Sequence, residues 1–348
     1  MAGTLLDNEA VLWPSSSPQR NFDDIITVLL FDDSSDNSSS DEDDLDLLLV
    51  ESLFPPQTNK DVPRLNFQDI TDADCETTFR FQKNDMEHLL DCLQIPEHFV
   101  CSQRTKATGM EALMILLRRL VLDDIYDRFK HLLESLDLIW LDPQLFSQVI
   151  YDKGAPLEQC WGFIDGTPRP IARPTANQRI MYSGHKRTHC LKFQSVQAPN
   201  GLIAHMYGPI EGRRHDAFML GESGLLNKLQ RFQKPSGEPY VIYGDPAYGI
   251  TQNIISPFRG ARLPPDQRQF NSLMSKVRVT VEWGFGKIIQ LFAFLDFKRN
   301  LKVLLQPTAK YYLVACVLVN CHTCLYGSQT SKFFGLDPPT LERYLSNQ

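Results

Sequence analysis

Apolar residues recur at three- and four-residue spacing between residues 79 and 148. Met86, Leu89, Leu90 and Leu93 form one set, and Met110, Leu113, Leu116, Leu117 and Leu120 a second. Phe129, Leu132, Leu133 and Leu136 continue it. That period predicts amphipathic helices, and Pro143 followed by Gly154-Ala155-Pro156 marks their end. The texture then changes. Residues 160–164 are a short apolar run leading into Asp165-Gly166-Thr167-Pro168. Residues 188–196 and 202–207 read as strands joined through Pro199-Asn200-Gly201, and Asn-Gly is a strong hairpin signal. Residues 216–232 read as helix, with Phe218, Leu225, Leu226 and Leu229 apolar. Residues 240–243 form a fourth strand ending in Gly244-Asp245-Pro246, and 253–258 a brief fifth. Helical spacing returns over 273–292 through Met274, Val277, Val281, Phe285, Ile288 and Phe292. Strand, strand, strand, helix, strand, strand, helix predicts an α/β sheet with mixed strand directions.

Charge divides the chain differently. The 348 residues carry a net charge of −7. Residues 1–75 hold 17 acids against 3 bases, residues 76–159 hold 14 against 9, and residues 160–348 hold 11 against 23. An acidic head therefore precedes a basic body, an asymmetry that points to nucleic acid or membrane. The Asp/Ser run at 32–46 buries too little apolar surface to offset chain entropy, so disorder is expected there. The apolar patches at 25–31 and 47–54 read as parts of a solvated tail, with short partner-binding segments as the alternative.

No apolar run is long enough to span a bilayer; the nearest candidate, 311–326, is interrupted by Asn320 and His322. The first residues lack the basic start and apolar stretch of a secretory signal. Eight irregularly spaced cysteines do not make a disulfide framework. Cys321 and Cys324 read as core rather than as metal ligands, since no second pair stands at zinc-finger spacing. A reduced, soluble, intracellular protein is expected.

Acids are scarce in the basic body, so their positions carry information. Asp165 follows the first strand's apolar run and Asp245 follows the fourth's. A central first strand beside a parallel fourth would bring both carboxylates to the sheet's carboxyl edge. Glu282 sits within the long helix, off its apolar stripe, with Arg278 four residues before it. Three such carboxylates suit two Mg²⁺ ions, which prefer hard oxygen ligands and together assist in-line displacement at phosphorus. Each acid alone also fits a structural role: Asp165 and Asp245 as turn residues, Glu282 as a surface acid paired with Arg278.

Four segments in order make the chain resemble the Harbinger-type DDE transposases and the host nucleases derived from them. They are Ile164-Asp165-Gly166-Thr167, Glu211-Gly212-Arg213-Arg214-His215-Asp216-Ala217, Gly244-Asp245-Pro246-Ala247-Tyr248, and the run from Ser275 through Arg278 to Val281-Glu282-Trp283-Gly284-Phe285-Gly286. The resemblance spans roughly residues 155–326. It implies a ribonuclease H-like fold and a divalent-metal-dependent DNA endonuclease. Asp165, Asp245 and Glu282 would be its catalytic acids and the ligands of two Mg²⁺ or Mn²⁺ ions. It further implies DNA as partner, a second Myb-like DNA-binding protein, and the nucleus as the expected compartment, with the cytoplasm as the other setting.

Other positions take their expected roles from these segments. His185, Lys186 and Arg187 read as DNA contacts, with a solvated loop as the alternative, and Arg213, Arg214 and His215 as contacts to phosphate or to the non-transferred strand. Arg278 is expected to orient Glu282 or meet a phosphate. Lys298, Arg299 and Lys302 would extend the basic track. His215 and Asp216 are candidates for active-site support, although Asp216, standing where a strand gives way to a helix, is expected chiefly as an N-cap. Trp283 is expected in the core.

One departure qualifies this picture. The related proteins carry a longer helical region with a helix-turn-helix-like segment. Residues 113–120 resemble its start, yet the chain passes through Val121-Leu122-Asp123-Asp124 directly into Ile125-Tyr126-Asp127-Arg128. That shortening weakens the expectation of sequence-specific end recognition. The expected layout is an acidic tail (1–62), a shortened helical region (63–150), a ribonuclease H-like DDE endonuclease domain (151–326) and a C-terminal tail (327–348). The competing expectation is a domesticated DNA- or protein-binding factor that keeps the fold without cleaving.

Overall fold

The computed structural model describes residues 66–100, 106–119, 123–297, 301–303 and 307–346. The expected acidic tail, the junction at 120–122, Lys298 and Arg299 lie outside the described residues.

After a 3₁₀ turn at Phe67–Asp69, the helical region contains α1 (Asp72–Phe79) and α2 (Lys83–Cys92). A two-stranded antiparallel ribbon follows, β1 (His98–Val100) and β2 (Lys106–Thr108). Helical spacing did not predict this ribbon. It falls between the two apolar sets, where Pro96 interrupts the periodicity. Then come α3 (Gly109–Arg119), α4 (Asp123–Phe129), α5 (His131–Glu134) and α6 (Pro143–Asp152). Asp142 caps α6 by accepting from the Gln144 and Leu145 N–H groups, and Pro143 takes the first helical position, where no N–H is needed.

The α/β part runs β3 (Cys160–Pro170), α7 (Gln178–Met181), β4 (Tyr182–Ser183), β5 (Thr188–Gln197), β6 (Ile203–Glu211), α8 (Asp216–Glu222), α9 (Leu225–Leu229), β7 (Val241–Tyr243), β8 (Ile254–Ile255) and α10 (Pro265–Leu291). It closes with α11 (Thr308–Tyr326), α12 (Gln329–Phe334) and α13 (Leu341–Leu345). The helix expected over 216–232 is split in two at Ser223-Gly224, where Gly224 adopts a φ of +61°. No helix among the described residues is long and apolar enough to cross a membrane.

The sheet is mixed, as the element order predicts. β3 pairs antiparallel with β5 on one edge and parallel with β7 on the other; β7 pairs parallel with β8, and β6 and β4 pair antiparallel with β5. The parallel pairing of β3 with β7 stops at Phe163↔Tyr243, whereas the pairing with β5 continues to Pro170↔Cys190. Asp165 therefore lies within β3, opposite Ser195, and does not follow it. Beyond Phe163 the strand has lost its β7 neighbour and is an edge, the setting in which Pro168 and Pro170 are tolerated without breaking a ladder. The two parallel strands part there, and the gap beyond their last pair, Phe163 and Tyr243, is the cleft beside β3.

The core is continuous between the helical region and the sheet. Phe79, Met86 and Leu117 belong to the same buried cluster as Trp161, Phe193, Ile242, Val281 and Val317. Long helix α10 is fixed on the sheet by Gln197, whose side-chain amide donates to the Val281 carbonyl at 3.1 Å. Gly284 makes room for that contact, because a Cβ there would stand 1.9 Å from the Gln197 side-chain oxygen. In α11, Asn320 is fully buried and bonds the Ile203 N–H at 2.9 Å, the Ile203 carbonyl at 3.0 Å and the Tyr344 hydroxyl at 3.0 Å. The polar residue that interrupts the apolar run thus ties α11 to both β6 and α13. Residues 329–334 and 341–345, expected as tail, are helices whose Phe334, Leu341, Tyr344 and Leu345 are buried. Cys321 is fully buried and Cys324 partly so; both are free thiols, as a core reading requires.

Candidate active site

The cleft beside β3 collects three aspartates and an arginine. Asp165 comes from β3, and its carboxylate accepts from the Gly166 N–H at 3.0 Å. Asp245 stands two residues beyond the end of β7 and caps the 3₁₀ turn at Pro246–Tyr248, accepting from the Ala247 N–H at 2.8 Å. The Ser256 hydroxyl donates to the Asp245 carbonyl at 3.0 Å, fixing the turn from the β8 side. Asp245 is thus a turn residue and a cleft residue at once.

Asp216 is the third. It is not the N-cap: His215 occupies that position and makes no side-chain capping bond. Asp216 is the first residue of α8, and its carboxylate points back over β3. A Cβ on Gly166 would lie 2.9 Å from its Oδ1. Lys192, from β5, lies 3.8 Å from the same oxygen and donates to the Arg214 carbonyl at 2.6 Å. Sequence reasoning passed over Lys192; its signal is a single cation in a strand whose other side chains are mostly buried.

Arg278 reaches the cleft from α10, its guanidinium 2.9 Å from the Asp165 Oδ1. Expected on phosphate or Glu282, it is instead paired with the Asp165 carboxylate. Its Nε is buried with no partner among the described residues. The three aspartates act on one another. Burial pushes the Asp165 carboxyl up to about 6, opposed by Arg278 and the Gly166 N–H, while Asp245 and Asp216 add to the rise. Burial likewise raises Asp216, with Lys192 opposing and Asp245 reinforcing. The Tyr248 hydroxyl is buried with no hydrogen-bond partner among the described residues, and its phenol is driven up by burial and then by the fields of Asp216, Asp165 and Asp245. Tyr248 was visible only as the end of the Gly-Asp-Pro-Ala-Tyr segment.

Glu282 stands apart from this cluster. It lies one turn beyond Arg278 on the same face of α10, exposed, with no hydrogen bond or ion pair to the described residues. Asp165, Asp245 and Glu282 do not bring ligand oxygens within 4.8 Å of one another as a set. Trp283 is half-buried at the helix edge, with its ring 5.5 Å from Phe333 in an edge-on contact. It is not a core residue.

The expected DNA contacts divide in two. His185, Lys186 and Arg187 form the exposed tip between β4 and β5, and the field of His185 reaches Asp216. Arg213 and Lys302 are exposed. Arg214 is committed locally, 3.3 Å from Glu211 and over the Phe218 ring at 4.3 Å. The donor set of the cleft fits a divalent cation. All its acids are hard oxygen donors, two are raised chiefly by burial and then by neighbouring carboxylates, and one buried hydroxyl has no partner among the described residues; no three of these acids bring ligand oxygens within 4.8 Å of one another.

Comparison with known proteins finds likeness over this region. Residues 164–320, which include all three aspartates, Arg278 and Glu282, match the model of a family described as DDE superfamily endonuclease. A mixed sheet of this kind is consistent with such a domain. More particularly, a protein named "Probable transposase for insertion sequence element IS702" from Microchaete diplosiphon is 27% identical over 122 residues, covering 34% of this chain. The chain spans 42% of that protein's length. No solved structure matches the chain.

Proposed function

We propose that this chain is a divalent-metal-dependent DNA endonuclease of Harbinger-type transposase origin, with a ribonuclease H-like catalytic domain. One observation carries the reading: Asp165 and Asp245 each stand two residues beyond Phe163 and Tyr243, the last paired residues of two neighbouring parallel strands, and act on the same cluster as Asp216 and Arg278. Asp165, Asp245 and Glu282 would hold two ions, Mg²⁺ or Mn²⁺, with Asp216 beside them. When bound, the ions supply Lewis-acid stabilisation and a deprotonated water at neutral pH.

The chain's own residues do the rest. Arg278 holds the Asp165 carboxylate in a fixed orientation across from Asp245. A raised Asp165 is still mostly ionised at pH 7, so it is available as a ligand where DNA enzymes work. Lys192 positions Asp216. The turn at His185, Lys186 and Arg187, with Arg213, offers cations to the DNA backbone at the mouth of the cleft. Glu282 would be the third ligand, placed one turn beyond Arg278 on α10. The nucleus as the setting and a Myb-like partner supplying sequence recognition belong to this same reading.

A second reading is favoured by the Arg278–Asp165 pair and by the solvent-facing Glu282. In it the fold is a DNA- or protein-binding factor that does not cleave, with arginine standing where a cation would. Supercoiled DNA incubated with the purified chain and Mg²⁺ or Mn²⁺ separates the two. Nicking lost in Asp245→Ala supports the endonuclease. Metal-independent DNA binding without nicking, unchanged by Asp245→Ala, supports the binding factor.

A further inference from the structure

Outside the aspartate cleft, His88, Cys92 and Glu342 each place one ligand atom within 4.8 Å of the other two. His88 and Cys92 are four residues apart on α2, so their side chains share one face of that helix. Glu342 belongs to α13 and meets them across the fold, its Oε1 lying 2.7 Å from the His88 Nε2. The surroundings are anionic. The Cys92 thiol is pushed up by burial, then by Glu342 and Asp91. The Glu342 carboxylate also acts on Cys324.

We propose that His88, Cys92 and Glu342 form a Zn²⁺ site that clamps α13 onto α2. The donor set decides the metal. An imidazole, a thiolate and a carboxylate are a borderline-soft group that suits Zn²⁺, whereas the all-oxygen cleft suits Mg²⁺ or Mn²⁺. Distance decides feasibility. Zn–N near 2.0–2.1 Å and Zn–S near 2.3 Å put tetrahedral ligands about 3.3–3.8 Å apart, so the three atoms need shift by only about 1 Å. The His88 and Glu342 side chains keep 41% and 61% of their surface exposed, so an ion can reach the site and solvent can fill the fourth position. Binding releases the Cys92 proton to solvent and leaves a thiolate on the metal.

The clamp has a structural purpose. α13 has five residues, too few to hold its own helix, and an exposed His–Glu pair contributes little by itself. A metal cross-link would fix the C-terminal helix to the helical region independently of the nuclease reading.

Co²⁺ titration of the reduced, chelator-stripped full-length chain tests this. One equivalent is expected to give a thiolate-to-Co²⁺ charge-transfer band with tetrahedral d–d bands, all displaced by Zn²⁺. Cys92→Ser should abolish the charge-transfer band, and Glu342→Gln should weaken Co²⁺ binding about tenfold or more. Asp245→Asn and Cys324→Ser should leave the titration unchanged, which separates this site from the cleft and from the neighbouring thiols. Absence of the band in the wild type overturns the proposal, as does its survival in Cys92→Ser or its loss in Cys324→Ser. Should Cys92→Ser fail to fold, His88→Gln replaces it: weakened Co²⁺ binding supports the site and unchanged binding refutes it.

Discussion

Arg278 and Asp165 form the pair on which the cleft turns. At 2.9 Å, with the side chains only 21% and 18% exposed, it is a partly buried ion pair set beside two further carboxylates. A carboxyl raised in the folded state adds stability in full below its unfolded value and loses it as pH rises through the folded one. For Asp165 that window runs from the ordinary 3.8 to about 6. The metal-free wild type should therefore lose stability relative to Asp165→Asn as pH rises across it, measured by urea denaturation at several pH values. Divalent cation should restore the difference. A gap between the two that does not change over this range would contradict a carboxyl raised by burial in the cleft. Gly166 tests the same geometry from the other side. Ala there would meet the Asp216 oxygen at 2.9 Å and the Met219 methyl at 3.3 Å. Gly166→Ala should cost about 1–3 kcal/mol, the usual overpacking range, and displace Asp216, lowering Mn²⁺-dependent thermal stabilisation of the chain. Unaltered stabilisation would mean that Asp216 has no part in the cation site.

At the level of elements, much of the frame was legible in the sequence because period and punctuation agreed. β5, β6 and α10 appear close to where alternation, Asn-Gly and three-to-four spacing place them. The parallel β3–β7 neighbours match the inference from the two aspartates. Three features were not legible, each because it depends on partners distant in the chain. β3 runs on through Asp165 to Pro170 because β5 pairs with it along that length. Asp216 looks like a cap until Gly166 and Lys192 are seen beneath it. The convergence of His88 and Cys92 with Glu342 joins helices 254 residues apart, beyond any local signal. Asn320, by contrast, looked like a flaw in an apolar helix and is its anchor. Asn320→Leu should destabilise the fold by about 2–3 kcal/mol or more, since it strands the Ile203 N–H and carbonyl in the core. A loss under 0.5 kcal/mol in urea denaturation would show that those backbone groups find other partners.

Across the whole molecule, charge and function segregate. The basic region from residue 160 onward contains the cleft, whereas the first 75 residues hold 17 acids. An acidic segment joined in sequence to a basic region would compete with DNA for the same cations. Deleting residues 1–62 should tighten non-specific DNA binding at low salt, with the difference shrinking as salt rises; equal affinity at low salt would refute that competition. Residues 76–159, at 14 acids to 9 bases, hold no comparable excess of bases for reading DNA. Under the proposed function, sequence recognition would fall to a partner protein and cleavage to the chain itself. The most direct test is nicking of supercoiled DNA by the purified chain in Mg²⁺ or Mn²⁺, run beside Asp245→Ala. The account predicts metal-dependent nicking that falls to background in the variant. Equal residual nicking by both proteins, or none by either with DNA demonstrably bound, would contradict it.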